Sequence, residues 1–600
     1  MDDTNDRTST VTRREFLAQV SAGVAATTLL GSELLAPREA RAASAGAGAG
    51  TARGKSGAPY NIVFVFTDQE RYFDRWPKGL SLPGHERLQR TGVTFHNHYC
   101  PAVMCTSTRS VIMTGLQTAD NGMFENADVP WIKPLSPNIP TVGHMLRKAG
   151  YYTAYKGKWH LDKAFDSTNA DRLFTTEMEA YGFADYLWPG DVVGHTLGGY
   201  KFDHLIAGSA VSWLRNKGQP LSDEGKPWAL FVSLVNPHDI MYFNADAADE
   251  RIQDTGRLLS HAARAPDHRD YKATWNVPLP HHLTQSFDEP GRPKAHGEFD
   301  KAWGHTLGRI PPDAAHWQRF NDYYINSIRA VDAQLLRILN ELDALGLSKR
   351  TIFVFTSDHG EAAGAHGLRG KGPFAYQENL HLPFYAVHPD VRGGQDSHAL
   401  TSHIDIAPTL LTMAGMDGTR MAEAAGRNLP GKDIGTVLGN PRASQLHSIR
   451  DSVLFTYSGI GMNDSELTRV LAEAKNAGKD LRAALKESGF RPDLRKRGSM
   501  RTVFDGRYKY SRYFSPLQRN RPTTLDEVYQ WNDPELFDLQ SDPAEIKNAA
   551  MTKGVNEALV MTMNAKLNAA IDAEFGKDDG REMPEMAGVS WAVDAQNIDL

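Results

Sequence analysis

Three stretches of this chain read as strands buried on both faces, and each runs straight into side chains suited to binding metals and anions. They are Asn61-Ile62-Val63-Phe64-Val65-Phe66, the apolar run from Trp228 to Val235, and Thr351-Ile352-Phe353-Val354-Phe355-Thr356. Continuous apolar runs of this length mark strands of a largely parallel sheet covered by helices on both sides. The first run is followed by Thr67-Asp68-Gln69, the second by Asn236-Pro237-His238-Asp239, the third by Ser357-Asp358-His359-Gly360. In open α/β sheets, ligands bind at the carboxyl ends of the strands. A fold that gathers these three ends on one edge therefore carries a polar site there.

Helical spacing of apolar residues predicts a helix from Ile139 to Ala149, ahead of a strand at Tyr151–Tyr155. A longer helix, Trp317 to Leu345, precedes the third buried strand. The stretch from Met241 to Pro312 is rich in His, Pro, Asp and Gly and weakly periodic. It reads as a long insertion near the mouth of the site rather than as core. Met462 to Asp493 is charged and helical in pattern, and Asp505-Gly506 is a hairpin signal. With Glu535–Leu539 and a helix from Val555 to Phe575, these predict a small antiparallel sheet with a closing helix. The expected organisation is a catalytic α/β domain over 58–445 and a C-terminal α+β subdomain over 446–600.

The N-terminus reads as a targeting segment. Thr12-Arg13-Arg14-Glu15-Phe16-Leu17 carries twin arginines, Ala18 to Leu35 is weakly apolar, and Ala40-Arg41-Ala42 is a small-residue cleavage site. Residues 1–42 look like a twin-arginine (Tat) signal peptide, which implies the Tat translocase as a partner and a periplasmic or secreted destination. Residues 43–57 are rich in Ala, Gly and Ser and read as a flexible linker. The apolar run is a poor membrane anchor, and no other stretch is long and apolar enough to span a bilayer. The net charge of -6 and pI near 6.4 give no support to nucleic-acid binding.

Cys105-Thr106-Ser107-Thr108-Arg109 opens a helical run ending at Thr114-Gly115. A thiol there sits near the positive end of a helix dipole with Arg109 one turn on, which favours an anion and an activated nucleophile. The other cysteine, Cys100, lacks the downstream arginine and reads as structural. Asp68, Gln69, Asp358 and His359 combine hard oxygen donors with an imidazole, suiting a divalent cation. In Gly157-Lys158-Trp159-His160-Leu161, Lys158 and His160 are two apart on an extended segment and point the same way. His238 follows a buried strand, and an imidazole of near-neutral pKa there suits proton transfer. Asp239 is placed to orient it or to touch substrate. Lys371 lies between two glycines, which let backbone approach an anion. His366 is a further pocket candidate, and Arg369 reads as a solvated surface residue.

Taken in order, these segments resemble the signatures of type I sulfatases, within the alkaline phosphatase superfamily. Their usual forms are C-x-P-S-R before a helix and T-G, then G-K-W-H-L, then G-K-G-x-x-Y-E with a later proline. Here the last reads Gly370-Lys371-Gly372, Tyr376-Gln377-Glu378 and Leu382-Pro383. The resemblance implies an alkaline-phosphatase-like three-layer α/β sandwich with a mixed, mostly parallel sheet. It implies that Cys105 is oxidised to formylglycine by a formylglycine-generating enzyme. It implies one divalent ion, Ca²⁺ or Mn²⁺, held by Asp68, Gln69, position 105, Asp358 and His359. The catalytic set it implies is Cys105, Arg109, Lys158, His160, His238 and Lys371, with Arg109, Lys158 and Lys371 on the sulfuryl oxygens. The reaction is hydrolysis of a small-molecule or saccharide sulfate ester to alcohol and inorganic sulfate. Ser107 stands where the family usually has Pro or Ala. Asp-Gln and Asp-His stand where the family usually has Asp-Asp and Asp-Asn, as in some bacterial sulfatases and in the related phosphonate monoester hydrolases. That difference favours a metal accepting nitrogen, and it keeps hydrolysis of a phosphonate monoester or phosphate diester as the alternative. Residues 162–200 and 241–312 are expected to shape the substrate pocket, with Trp188, Tyr242 and Phe243 as aromatic candidates.

Overall fold

A computed structural model describes residues 59–585, apart from 130, 166–171, 189, 192–195, 254–261, 481–483, 485–486, 490–492 and 552–553. The expected signal and linker lie outside the described residues. The larger sheet is built from β1 (Asn61–Asp68), β2 (Val93–Tyr99), β3 (Tyr152–Gly157), β4 (Trp228–Pro237), β5 (Thr351–Ser357), β6 (His381–Leu382), β7 (Phe384–Val387) and β8 (Gln395–Ser402). Its order is β3-β4-β1-β5-β7-β2-β6, with β8 also paired to β2. β1 is the spine: every residue is buried, and it pairs in parallel with β4 and β5. Its β-branched and aromatic side chains suit a strand covered on both faces. Beyond β5 the sheet becomes mixed, because β7 runs antiparallel to both β5 and β2.

All three apolar runs are strands, and each continues into its polar tail. Asp68 lies in register with Pro237, and Thr67 with Ser357. The backbone ladder therefore fixes where the strand-end ligands stand.

Helices cover both faces. Those that matter for the site are α1 (Pro83–Thr91), α2 (Cys105–Thr114), α3 (Val142–Lys148), α4 (Gly198–Trp213), α5 (Lys294–Leu307), α6 (Ala314–Ala344) and α7 (Ile406–Met413). Val65 pairs with Phe355, so the two share a face, and Phe66 points to the other. His85 of α1 stands edge-on to Phe355 at 5.0 Å, and Arg109 of α2 lies 4.9 Å over the Phe66 ring. α1 and α2 therefore lie on opposite faces, as a three-layer sandwich requires. α6 contacts α1 and α4 in one layer, and α2, α3 and α7 contact one another in the other.

Element ends follow from caps. The long helix begins at Ala314, ahead of Trp317, because the Asp313 carboxylate accepts the N–H groups of Ala315 and His316. α3 begins only at Val142 because Thr141 and His144 form a capping box. The 241–312 stretch departs from expectation, since part of it is core. α5 buries Phe299, Ala302, Trp303 and Leu307 at helical spacing, and the Phe299 ring meets Phe374 edge-on at 5.1 Å.

C-terminal to these, β9 (Val453–Tyr457), β10 (Ser499–Phe504), β11 (Tyr508–Phe514) and β12 (Asp533–Asp538) form an antiparallel sheet in the order β12-β11-β10-β9. The Asp505-Gly506 hairpin joins β10 to β11, with the Asp505 carboxylate accepting the N–H groups of Arg507 and Tyr508. Of the helical pattern predicted at 462–493, Ser465–Asn476 is a helix, α8. The closing helix, α9 (Glu557–Glu574), packs Val560, Met563, Leu567 and Ile571 onto this sheet. Thr456 of β9 donates its N–H to the Pro101 carbonyl at 2.8 Å, tying the small sheet to the segment that leads into α2.

Candidate active site

Cys105 is the first residue of α2, and Met104 before it is extended. The thiol is fully buried and faces the ends of β1 and β5. Its Sγ lies 3.2 Å from His359 Nε2 and 3.5 Å from Asp68 Oδ1. Burial alone would raise its pKa, but Lys158, Lys371, His359 and the nearby His160 outweigh that and hold it well below the usual thiol value. The position thus stabilises a negative charge. Cys100 is a free, buried thiol donating to the Asn379 carbonyl at 3.4 Å, and burial pushes its pKa well up. The contrast is the difference between a packed thiol and one among cations.

Asp68, Cys105, Asp358 and His359 each offer a ligand atom, all within 4.8 Å of one another. His359 Nδ1 faces the Gly360 carbonyl at 3.0 Å, which leaves Nε2 as a lone pair. That Nε2 points at Asp68 Oδ1 (3.7 Å) and Asp358 Oδ1 (3.6 Å). Two carboxylate oxygens, one oriented imidazole nitrogen and the side chain at 105 form a donor set that fits a divalent cation accepting nitrogen. Asp358 has a pKa raised to about 6, by burial first and the Asp68 charge second. Asp68 moves the other way: Lys158, His238 and Arg109 overcome burial and the Cys105 charge and hold it well below the usual carboxylate range.

Arg109 braces this cluster from behind. Its guanidinium donates to Asp358 Oδ2 (2.9 Å), Asp68 Oδ2 (2.8 Å), Ser233 Oγ (2.7 Å) and the Lys158 carbonyl (2.9 Å). The expectation that it holds sulfuryl oxygens is corrected accordingly, because its donors are turned to these four oxygens. Lys158 Nζ donates to Asp68 Oδ2 at 2.6 Å. Lys371 Nζ donates to Gln69 Oε1 at 2.6 Å, and the Gln69 amide donates to Glu361. Gln69 is therefore at the cluster, with its carboxamide oxygen turned to Lys371.

Lys158 and His160 both reach Cys105, but not along an extended strand. β3 ends at Gly157, whose φ is +92°, and a Cβ there would sit 2.0 Å from the Ser233 carbonyl oxygen. His160 is itself left-handed, with φ +58°. Asp191 holds this bend by accepting the N–H groups of Trp159 (2.6 Å) and His160 (2.7 Å). Burial opposes charge on His160, but Asp128, 3.5 Å from Nε2, and Cys105 outweigh it and raise its pKa.

A protein-family model described as Sulfatase matches residues 60–416. The chain belongs to the sulfatase family. It is 26% identical over 414 residues to the N-acetylglucosamine-6-O-sulfatase of Bacteroides thetaiotaomicron, a match covering 60% of this chain and 68% of that protein. Over 519 residues it is 26% identical to the choline-sulfatase of Rhizobium meliloti, covering 82% of each. Its fold is shared with the phosphonate monoester hydrolase of Silicibacter pomeroyi, at TM-score 0.59 and 18% identity, over 89% of this chain and 100% of that one. The chain is thus a sulfuric ester hydrolase.

In this sulfatase His238 is buried at the end of β4, beside the Cys105–Lys158–Lys371 group. Burial and the two lysines push its pKa down to about 4, rather than leaving it near neutral. The Asp239 side chain serves another element: its carboxylate accepts the N–H groups of Gly199 (2.8 Å) and Tyr200 (2.9 Å), capping α4. His366 packs away from the cluster, stacked on Tyr376 at 3.6 Å with Nδ1 on Gln285. Arg369 is buried, not solvated, because α5 and Gly308 fold over it and the Gly308 carbonyl accepts its N–H. Phe243 stacks on Tyr323 at 4.2 Å and Trp188 meets Phe202 edge-on, so both are packing residues, while Tyr242 stands edge-on to His238 at 5.8 Å. A cavity of about 1000 Å³ lined by Tyr60, Arg87, Arg350 and Asp390 lies at the opposite, amino-terminal ends of β1 and β5.

Sequence reasoning missed Asp128, Asp191, Ser233 and Glu361. Glu361 accepts the N–H groups of Ala363 (3.0 Å) and Gly370 (2.6 Å), shaping the loop that delivers Lys371. Its place three residues after Asp358 was the available signal. Asp128 and Asp191 lie in loops without periodicity, and no local pattern marks them.

Proposed function

We propose that this sulfatase cleaves sulfate monoesters with a nucleophile made from Cys105, oxidised to formylglycine by a formylglycine-generating enzyme. The observation that carries the reading is the position of Cys105: its sulfur lies 3.2 Å from His359 and 3.5 Å from Asp68, in the field of Lys158 and Lys371. A formylglycine at 105 would supply, as its hydrate, one oxygen to attack sulfur and a second to expel sulfate. A divalent ion, Mn²⁺ or Ca²⁺, held by Asp68, Asp358 and His359 with Gln69 beside them, would supply positive charge at the nucleophile and the sulfuryl oxygens.

The chain's own residues do the rest. Lys158 and Lys371 turn from Asp68 and Gln69 toward the sulfuryl oxygens and hold them as charge shifts in the transition state. Arg109 positions the two carboxylates. His238 passes a proton to the departing alcohol oxygen as the S–O bond breaks. The two lysines that depress its pKa are those a bound sulfate neutralises, so substrate restores its basicity. His160, held by Asp128, takes up the proton released when the second hydroxyl collapses and sulfate leaves. The substrates proposed are small-molecule or saccharide sulfate esters. Export by the Tat route, with a signal over 1–42 and a linker over 43–57, and division at residue 445 complete the proposal. Among the described residues, no helix is long and apolar enough to cross a membrane.

The test is sulfate release by Cys105→Ala and Cys105→Ser, with folding checked by circular dichroism. Both should lose turnover, since neither forms a hydrate that can expel sulfate. Sustained turnover by either overturns the proposal. The imidazole of His359 inside the donor set also suits phosphonate monoester hydrolysis with the same nucleophile. Parallel assays of nitrophenyl sulfate and phenyl phosphonate esters separate the two, and a higher kcat/KM for the sulfate is expected.

A further inference from the structure

A second group of metal-type ligands lies outside the site described above. Asp246, Glu250 and His316 each offer a ligand atom, all within 4.8 Å of one another. His316 sits in the first turn of α6, and the two acids lie on the segment that follows His238 and Tyr242. His316 is 4% exposed, and its Nε2 has no hydrogen-bond partner although it points into the cluster. That nitrogen is 3.1 Å from Glu250 Oε2 and 3.8 Å from Asp246 Oδ1. Its Nδ1 is 2.8 Å from the Asp313 carboxylate. A carboxylate on Nδ1 fixes the tautomer that leaves Nε2 as a lone pair, the arrangement that orients metal-binding histidines.

The spacing agrees with one small cation. Zinc–ligand bonds of about 2.0–2.2 Å in tetrahedral geometry place neighbouring ligand atoms roughly 3.3–3.6 Å apart. The observed 3.1 and 3.8 Å bracket that value. Asp246 is buried at 4% exposure and accepts the Gln253 N–H at both oxygens (3.1 and 3.0 Å), leaving lone pairs toward His316. A buried carboxylate needs a compensating charge. The same Glu250 Oε2 also accepts the Ala247 N–H (2.6 Å) and Arg319 Nη2 (3.1 Å), which hold the carboxylate beside the imidazole.

We propose that Asp246, Glu250 and His316 bind a second divalent cation of zinc type, which pins the segment after Tyr242 to the start of α6. Two carboxylates and one imidazole leave a fourth position for water. The role is structural: the pinned segment directly follows Met241 and Tyr242, and the Met241 Sδ lies 3.8 Å from Lys371 Nζ.

The experiment uses the full-length protein, stripped with EDTA, reloaded with Zn²⁺, desalted and assayed for metal by mass spectrometry. A His359→Gln background weakens the site at Asp68 and Asp358 so that the second site is read alone. Adding His316→Gln should remove one zinc equivalent per chain and abolish the rise in melting temperature that Zn²⁺ produces in the background. Glu250→Gln, at a half-buried position, should do the same and decides the matter if the His316 variant fails to fold. Unchanged zinc content in a folded His316→Gln or Glu250→Gln protein overturns the proposal. Zinc content of zero in the His359→Gln background overturns it as well.

Discussion

His85 is a structural test of how the site edge is held. Its imidazole bridges two buried carboxylates, with Nδ1 2.6 Å from Asp332 Oδ1 and Nε2 2.8 Å from Glu70 Oε1. Glu70 accepts the Thr67 hydroxyl at 2.8 Å and gives its N–H to Ser357 Oγ at 2.8 Å, so the bridge braces the ends of β1 and β5. Burial works against charge on His85, but Glu70 and Asp332 outweigh it and raise its pKa from 6.5 to about 10. A raised folded-state pKa stabilises the protein fully below the unfolded value, and the contribution is lost as pH rises through the folded value. The window is therefore pH 6.5 to about 10. At about 1.36 kcal/mol per pKa unit the shift corresponds to an upper bound of roughly 5 kcal/mol. Breaking a buried ion pair costs about 3–5 kcal/mol, which agrees. His85→Gln should be destabilised by that amount at pH 6.5 and by about 1 kcal/mol above pH 10, where the wild-type imidazole retains only a neutral hydrogen bond. The assay is urea unfolding of both proteins at the two pH values, read as the difference between them so that shared titrations cancel. A penalty equal at both pH values, or none at pH 6.5, refutes the charged bridge.

Three further outcomes follow from the site. His238→Ala should slow substrates with poor leaving groups by roughly 10²–10⁴-fold and activated nitrophenyl esters far less, whereas Lys371→Ala should slow the whole series alike; parallel slopes for the two variants would make His160 the proton donor instead. Chelation should abolish turnover, with Mn²⁺ restoring at least as much as Ca²⁺ because His359 offers nitrogen, and a Ca²⁺ preference that survives His359→Ala would contradict that ligand. Asp239→Ala should cost about 0.5–2 kcal/mol of stability, as the loss of a helix cap does, and leave the leaving-group slope unchanged; a changed slope would show that Asp239 orients His238.

Much of the fold was legible because β1, β4 and β5 are long, continuous and apolar, and a strand buried on both faces needs that composition. Their polar ends were legible for the same reason, since Asp68, His238, Asp358 and His359 interrupt such runs abruptly. The bend at Gly157 was not. The extended path expected for Lys158 and His160 is replaced by a left-handed turn that depends on contact with β4 and on Asp191. Arg109 was recognised as a site residue, but its role depends on four oxygens from β1, β4, β5 and the Lys158 carbonyl, which tertiary structure alone assembles. Arg369 and Asp239 were misread for a related reason. A charged residue in a loop looks solvated or functional until the element that covers it, α5 in one case and α4 in the other, is in place.

The central claim is that position 105 carries the nucleophile in oxidised form. Peptide mass spectrometry of the purified, active protein tests it most directly. The peptide containing residue 105 should be about 18 Da lighter than its cysteine form, as expected when a thiol carbon becomes an aldehyde. An unmodified Cys105 throughout a preparation that turns over sulfate esters at full rate would contradict the account.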